Sequence, residues 1–399
     1  MNDPGKALLR GPVKRSAIAS LPKADIEPFH AIAISRLAHT LQTEGRSVIH
    51  MEFGQPSTGA PRAAIETAHR ILDTDPMGYW ESVPLKQRLA RHYCDSYGVI
   101  ADPEQFILTC GASPALVLAL ISRFSPGDRV ALARPGYVAY RNTLRALHLV
   151  PVEIACGESE RFQLSSTTLA ALDPPPAGVI IASPANPTGT IIPPRELQAI
   201  VEVCRARGIQ IVSDEIYHGL SYGERTHSIL EFDPSAFVIN SFSKYFSMVG
   251  WRLGWLLVPK EHLHRARAFV GNLFLSAPSL SQHAALAALD AHEELDGHVA
   301  VYRRNRELLL NALPRLGLNA IAPPDGAFYV YANVGHLTDD SFKFCKDMLK
   351  ATGVATAPGI DFDPVQGRRF VRFSFAVSTP QIETAIERMV PWMRTQKVS

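Results

Sequence analysis

The sequence lacks a strong charge of either sign. Its 40 Lys and Arg against 38 Asp and Glu leave a formal charge of +2, and no basic stripe of the kind a nucleic-acid binder presents stands out. Nucleic acid is therefore not an expected partner. Long apolar runs are missing too. The longest, near "ALVLALI" (115–121), falls far short of the roughly 20 residues a membrane helix needs, so no membrane association is expected. The cysteines (Cys94, Cys110, Cys156, Cys204 and Cys345) are odd in number and form no CxxC. They read as reduced thiols of a cytoplasmic protein. "HEELDGH" (292–298) misses the HExxH pattern, and no metal site is expected. There is no internal repeat, and Pro and Gly are dispersed rather than gathered into a linker. The opening segment, "MNDPGKALLRGPVKRSAIASLPK", is basic and poor in acid but has no apolar core of a secretory signal. Residues 1–27 read as an arm.

What is present is an ordinary globular balance, 46% apolar and 20% charged over 399 residues, too long for one small core and consistent with a large and a smaller domain. From about 100 to 260 a pattern repeats: apolar strand, turn, amphipathic helix. "FILT" (106–109), "DRVALA" (128–133), "AGVIIAS" (177–183), "IQIVSDEIY" (209–217), "AFVINS" (236–241) and "GWLLV" (254–258) are the expected strands. Strands this apolar, alternating with helices, predict a mostly parallel sheet covered on both faces. Residues 259–315 read as helical. Beyond 318, short strands near 327–333 and 368–376 and helices near 340–352 and 380–394 predict a smaller α/β unit, packed with the helix and short strand of 28–50.

Polar residues gather where the apolar strands end, which is where ligands collect in such sheets. In "ILTCGASPA" a glycine turn leads to Ser113, expected as N-cap, and Pro114, expected as first helical residue. Such a helix start suits a phosphate; a capped surface helix explains it equally. "IVSDEIY" sets Asp214 in an apolar context that calls for a cationic or hydrogen-bonding partner, though a cap or salt bridge would also serve. "SPANPTGT" ends another strand with Asn186, or is simply a stiffened loop. "SFSK…GWR" supplies an amine at Lys244, hydroxyls at Ser241 and Ser243, and a guanidinium at Arg252. A lysine near the end of a buried strand has a depressed pKa and becomes a usable nucleophile.

Taken in order, "GQP", "GASPA", "NPTGT", "SDEIY", "SFSKYFSMVGWRLGW", "PDGAFY" and "VRFSFA" resemble the class I/II aminotransferases, fold-type-I enzymes that use pyridoxal 5′-phosphate (PLP). The resemblance runs from about 28 to 395. It implies an α/β fold whose large domain carries a mostly parallel seven-stranded sheet sandwiched by helices, with a smaller α/β domain; the division expected is 1–27 arm, 28–50 and 316–399 small domain, 51–315 large PLP-binding domain. It implies Lys244 as the covalent attachment point of PLP and the base at substrate Cα, Asp214 as partner of the ring nitrogen, and Tyr217 and Asn186 as donors to the ring oxygen. It implies Tyr137 as the stacking aromatic, and Ala112, Ser113, Ser241, Ser243 and Arg252 as phosphate contacts. Tyr79 matches a tyrosine that reaches the neighbouring subunit's phosphate. Arg372 matches the grip on the substrate α-carboxylate, with Gly54 and Asn186 beside the substrate. The resemblance also implies a homodimer with shared active sites, acting on amino-acid and 2-oxo-acid substrates by a ping-pong mechanism, with 2-oxoglutarate or pyruvate as acceptor.

The departures are specific. "GYWESVPLKQRL" lacks a glycine usual in that segment, and Pro114 and Val249 replace a common Gln and Thr, neither expected to touch the chemistry. No second arginine for a distal carboxylate is evident. The same scaffold also hosts Cβ–S lyases and other PLP lyases, and effector-sensing domains of regulators; the latter carry a DNA-binding domain for which about 28 residues leave no room.

Overall fold

The computed structural model describes residues 26–396. Among them, a short strand β1 (Ile49–Met51) follows helix α1 (His30–Thr43). Then come strands β2 (Phe106–Thr109), β3 (Arg129–Arg134), β4 (Val150–Ala155), β5 (Gly178–Ala182), β6 (Gln210–Asp214), β7 (Phe237–Ser241) and β8 (Gly254–Leu257). These form one seven-stranded sheet in the order β2-β8-β7-β6-β5-β3-β4. Neighbours from β7 to β4 run parallel, and β8 lies antiparallel between β2 and β7. The expected parallel core is there, with one reversed strand set inside it.

Successive residues of a strand face opposite sides, and this sheet has an apolar core on each. Ile107, Val130, Ile180, Val212, Phe237 and Leu256 pack on one side with α4 (Ala112–Arg123), α5 (Val138–Ala146) and α8 (Lys260–Leu273), the helices that follow β2, β3 and β8. Their chain neighbours Leu108, Ala131, Ile181, Ile211, Val238 and Leu257 pack on the other. There they meet α2 (Arg62–Thr74), α3 (Val83–Tyr97), α6 (Ser166–Ala170), α7 (Pro194–Arg207) and α9 (Ser279–Ala288). Strands apolar at every position are what two covered faces require.

A second sheet has the order β1-β10-β11-β9, with β9 (Tyr329–Asn333), β10 (Val354–Pro358) and β11 (Phe370–Ser374). Its core joins α1, α11 (Ser341–Thr352) and α12 (Thr379–Thr395). Helix α10 (His292–Ala312) serves both cores: Leu295 packs with the large sheet, Tyr302 and Leu309 with the small one. Met51 of β1 pairs with Thr356, and the chain leaving β1 passes Phe53 and Gly54 to the edge of a cavity between the sheets.

Candidate active site

Segments leaving the carboxyl ends of β2, β3, β5, β6 and β7 converge on a cavity of about 400 Å³, closed from the small sheet by Tyr329 and Arg372. At one end α4 begins. Its N-cap is Gly111, with φ 97° and ψ 179°, and no side chain caps it. The expectation of a Ser113 cap and a helix opening at Pro114 is corrected: Ser113 and Pro114 are the second and third helical residues. The reason is local. Only a glycine takes that backbone easily, and a Cβ there would meet Arg252 Nη2 at 2.5 Å. The turn therefore completes two residues early, and the first N–H groups of α4, which have no carbonyl in their own helix, open at Ala112 and Ser113 on the cavity wall.

Arg252 faces the same end, tethered by Nη1 to Val249 O (3.0 Å) and Nη2 to Cys110 O (3.3 Å). Val249 is part of the wall. Ser243 is in the wall as well. Ser241 sits behind it, buried, its Oγ accepting from the Ser243 N–H at 3.1 Å.

Lys244 follows on the turn after β7, and its Nζ donates to Gly54 O at 2.5 Å. Burial first, then the positive charges of Arg372 and Arg252, pull this ammonium down to about 8. Asp214 ends β6 and is buried. Its Oδ2 accepts from Tyr140 Oη at 2.6 Å and its Oδ1 from the Ile216 N–H at 3.1 Å. Burial raises this carboxyl above its usual range, while the two hydrogen bonds and Lys244 oppose the rise. Tyr217 places its hydroxyl 2.5 Å from that of Tyr329. Tyr137, at the N-cap of α5, lines the wall edge-on to Tyr140, ring centroids 5.5 Å apart.

Arg372 is 2% exposed. Its guanidinium lies 4.4 Å from the Tyr329 ring centroid and 4.7 Å from that of Phe362. Nη1 donates to Asn186 Oδ1 (2.7 Å) and Nη2 to Glu52 O (2.6 Å), leaving Nε buried without an acceptor. Asn186 keeps its amide nitrogen as a donor. Gly54 is packed so closely under Tyr329 that a Cβ would overlap the hydroxyl.

The sequence-expected residues Gly54, Ala112, Ser113, Tyr137, Asn186, Asp214, Tyr217, Ser243, Lys244, Arg252 and Arg372 thus share one cavity. Ser241 and Tyr79 do not reach it. Tyr79 is 85% exposed. Sequence reasoning missed Tyr140, Tyr329, Phe362 and Glu52. Tyr140 had a usable signal, since three residues after Tyr137 on a helix is the same face; Tyr329 stood in "PDGAFY" without a role.

The donor set fits a phosphorylated pyridine aldehyde. Arg252, a helix N-terminus and Ser243 suit the dianion, a buried carboxylate suits a protonated ring nitrogen, and a lysine of lowered pKa suits the aldehyde carbon. The guanidinium of Arg372 adds a cation for a second anion.

A model of the family described as aminotransferase class I and II matches residues 46–389. The valine–pyruvate aminotransferase of Mycobacterium tuberculosis is 44% identical over 381 residues, 94% of this chain and 98% of that protein. The crystal structure of an aminotransferase from Mycobacterium tuberculosis superposes with a TM-score of 0.92 at 43% identity, covering 94% of this chain and 99% of the other. Aspartate aminotransferase from Thermus thermophilus, solved with maleate, gives 0.86 at 30% identity over 92% and 97%.

Proposed function

The chain belongs to the class I and II aminotransferases and is a PLP-dependent enzyme, and within that family we propose that it moves the amino group of an apolar amino acid, valine foremost, to pyruvate. One observation carries this reading: among the described cavity residues, Arg372 is the one guanidinium away from the phosphate end, and Phe29, Phe53 and Ile216 line the wall with it. An apolar side chain loses nothing in such surroundings, whereas a distal carboxylate would be buried unpaired. The kinship with a valine–pyruvate enzyme supports the same choice.

The residues divide the work as follows. Arg252, Ser243 and the N–H groups at Ala112 and Ser113 hold the phosphate, with Ser241 fixing Ser243 from behind. Asp214 would keep a proton on the ring nitrogen, Tyr217 and Asn186 would donate to the ring oxygen, and Tyr137 would pack against the ring. PLP, when bound, supplies the electron sink that makes a Cα proton removable. Lys244 would hold the aldehyde carbon and would be the base that takes and returns that proton; with its ammonium pulled down to about 8, part of it is free base at neutral pH. Arg372 binds the α-carboxylate and sets the orientation of Cα, its own plane held by Tyr329 and Phe362. The same set serves both halves of a ping-pong cycle.

The reading includes a homodimer and a cytoplasmic location. Tyr79, Leu72, Val83, Leu273 and Leu275 are large apolar or aromatic side chains at least half exposed, a surface a second copy would cover; Tyr79 would then reach the partner's phosphate. Five free thiols suit a reducing compartment. It also takes residues 51–315 as the PLP-carrying domain, with 28–50 and 316–399 as its smaller companion.

The test is a half-reaction screen. Purified holoenzyme is mixed with single amino acids, and the visible absorbance of the cofactor is followed. Valine and its aliphatic neighbours should bleach it rapidly, and pyruvate should restore it. Rapid bleaching by aspartate with none by valine would overturn the assignment.

A further inference from the structure

A second cavity, of about 290 Å³, shares a wall with the first. Pro135 lines the second and Tyr137 the first, and between them the Gly136 N–H donates to Phe362 O at 3.0 Å. Phe362 packs on Arg372, while the next residue, Asp363, lines the second cavity. One sheet face serves both. Along β9, Tyr329 faces the first cavity and Tyr331 the second; along β11, Arg372 faces the first and Phe370 the second. Tyr331 pairs in register with Arg372, so residues two apart on each strand divide between neighbouring sites.

The walls are mostly apolar, broken by Arg134, Glu158, Asn333, Asp363 and Gln366. Tyr331 stacks on Phe370 with ring centroids 4.7 Å apart and planes 9° apart, and Phe162, Ile321 and Pro135 continue the lining. Two donors inside this lining make no hydrogen bond, the Tyr331 hydroxyl with no partner at all and Arg134 Nε with only an ion pair to Asp363. Tyr331 is 1% exposed and its hydroxyl has no partner; burial pushes its ionisation well above the usual phenol range, so it stays a donor. Arg134 Nε is also buried without a hydrogen bond. The carboxylate beside it, Asp363 Oδ1 at 3.4 Å, is already taken by the N–H groups of Val365 (2.8 Å) and Gln366 (2.9 Å). Buried donors without acceptors are costly and rare. A guanidinium and a phenol together suit an anion. Asp363 and Glu158 in the same lining disfavour a doubly charged one.

We infer that this second cavity binds a small carboxylate with an apolar body, its carboxylate on Arg134 and Tyr331 and its body between Phe162 and Phe370. Occupancy bears on the Pro135–Tyr137 segment and on Phe362, and so on the clamp around Arg372. The expected consequence in the intact enzyme is a shift in KM for the amino acid that levels off once the second cavity is saturated, with turnover at saturating amino acid unchanged.

The probe is radiolabelled phenylacetate, which has neither an amine nor a 2-oxo group to react. Equilibrium dialysis uses Arg372→Leu holoenzyme, so that the first cavity offers no carboxylate grip. One molecule should bind per chain. Adding Tyr331→Phe should weaken it about tenfold, and adding Arg134→Gln should weaken it further. Displacement of the label by L-valine or by its 2-oxo acid identifies which source of carboxylate the site takes. In the wild-type background both substitutions should leave turnover at saturating substrate unchanged, which also verifies folding. No binding to Arg372→Leu holoenzyme, or binding that either added substitution leaves unchanged, would overturn the inference.

Discussion

Tyr140 donates its hydroxyl to Asp214 Oδ2 at 2.6 Å, tying helix α5 to the carboxyl end of β6. The bond gives Oδ2 of a buried carboxylate its donor, as the Ile216 N–H does for Oδ1, and it opposes the rise that burial imposes on that carboxyl. Tyr140→Phe should therefore cost the apoprotein about 1–3 kcal/mol, the usual result of stranding a buried acceptor. It should also move the acid limb of kcat/KM to higher pH, because in the proposed role Asp214 works as the carboxylate. Denaturant unfolding and a pH–rate profile measure the two effects separately.

Asp214 itself should show stability set against function. Its folded pKa is raised, so the folded chain holds this proton more tightly than the unfolded one. The contribution is present below the unfolded carboxylate pKa and is lost as pH rises through the folded value. Asp214→Asn removes that loss. The apoprotein variant should melt above the wild type at neutral pH, with the gap shrinking toward acid, while turnover falls by at least about 10²-fold. Thermal scans of both apoproteins across pH check the sign.

Lys244 runs the other way. Its folded pKa of about 8 lies below the ordinary 10.5, so the unfolded chain binds more protons between those values and this group adds stability as pH rises from about 8 toward 10.5. Lys244→Met should abolish that rise in apoprotein stability. Capture of PLP by the wild-type apoprotein should accelerate with a midpoint near 8, read by stopped-flow absorbance. Lys244→Ala should lose multiple turnover altogether.

Arg372→Lys keeps the charge and loses the plane. The guanidinium lies between two rings and makes two hydrogen bonds through separate nitrogens, an arrangement an ammonium does not reproduce. KM for the amino acid should rise roughly 10- to 100-fold, the equivalent of one charge-assisted bond. Steady-state kinetics with valine decide it.

Much of this was legible in the sequence where strands are buried on both faces. "FILT", "AGVIIAS" and "AFVINS" each contain a strand of the large sheet. Strand β4, "VPVEIA", escaped notice. It is the edge of its sheet, no residue of it is fully buried, and it carries Pro151, which an edge tolerates. Strand β10, "VATAP", is buried but short and rich in alanine, with no apolar signature. The reversed direction of β8 left no local mark, because two covered faces look the same in either direction. Site residues one motif apart were readable from their order. Phe362 and Glu52 were not, since each acts through Arg372, which the fold brings from elsewhere in the chain; the place of Tyr140 beside Tyr137 was readable, but its bond to Asp214 was not.

The ring-held guanidinium of Arg372 has a consequence for handedness. Packed against two aromatic rings and hydrogen-bonded through both terminal nitrogens, it is held against swinging toward a substrate presented the other way round. Lys244 and Asp214 fix two further points of the same cavity. With the carboxylate anchored and the amine committed to the cofactor, the two remaining groups on Cα are no longer interchangeable. One enantiomer offers its hydrogen to the lysine; its mirror image offers a side chain. An immobile arginine thus makes the pocket a chirality filter, and the amino acid it forms from a flat oxo acid should be of a single hand.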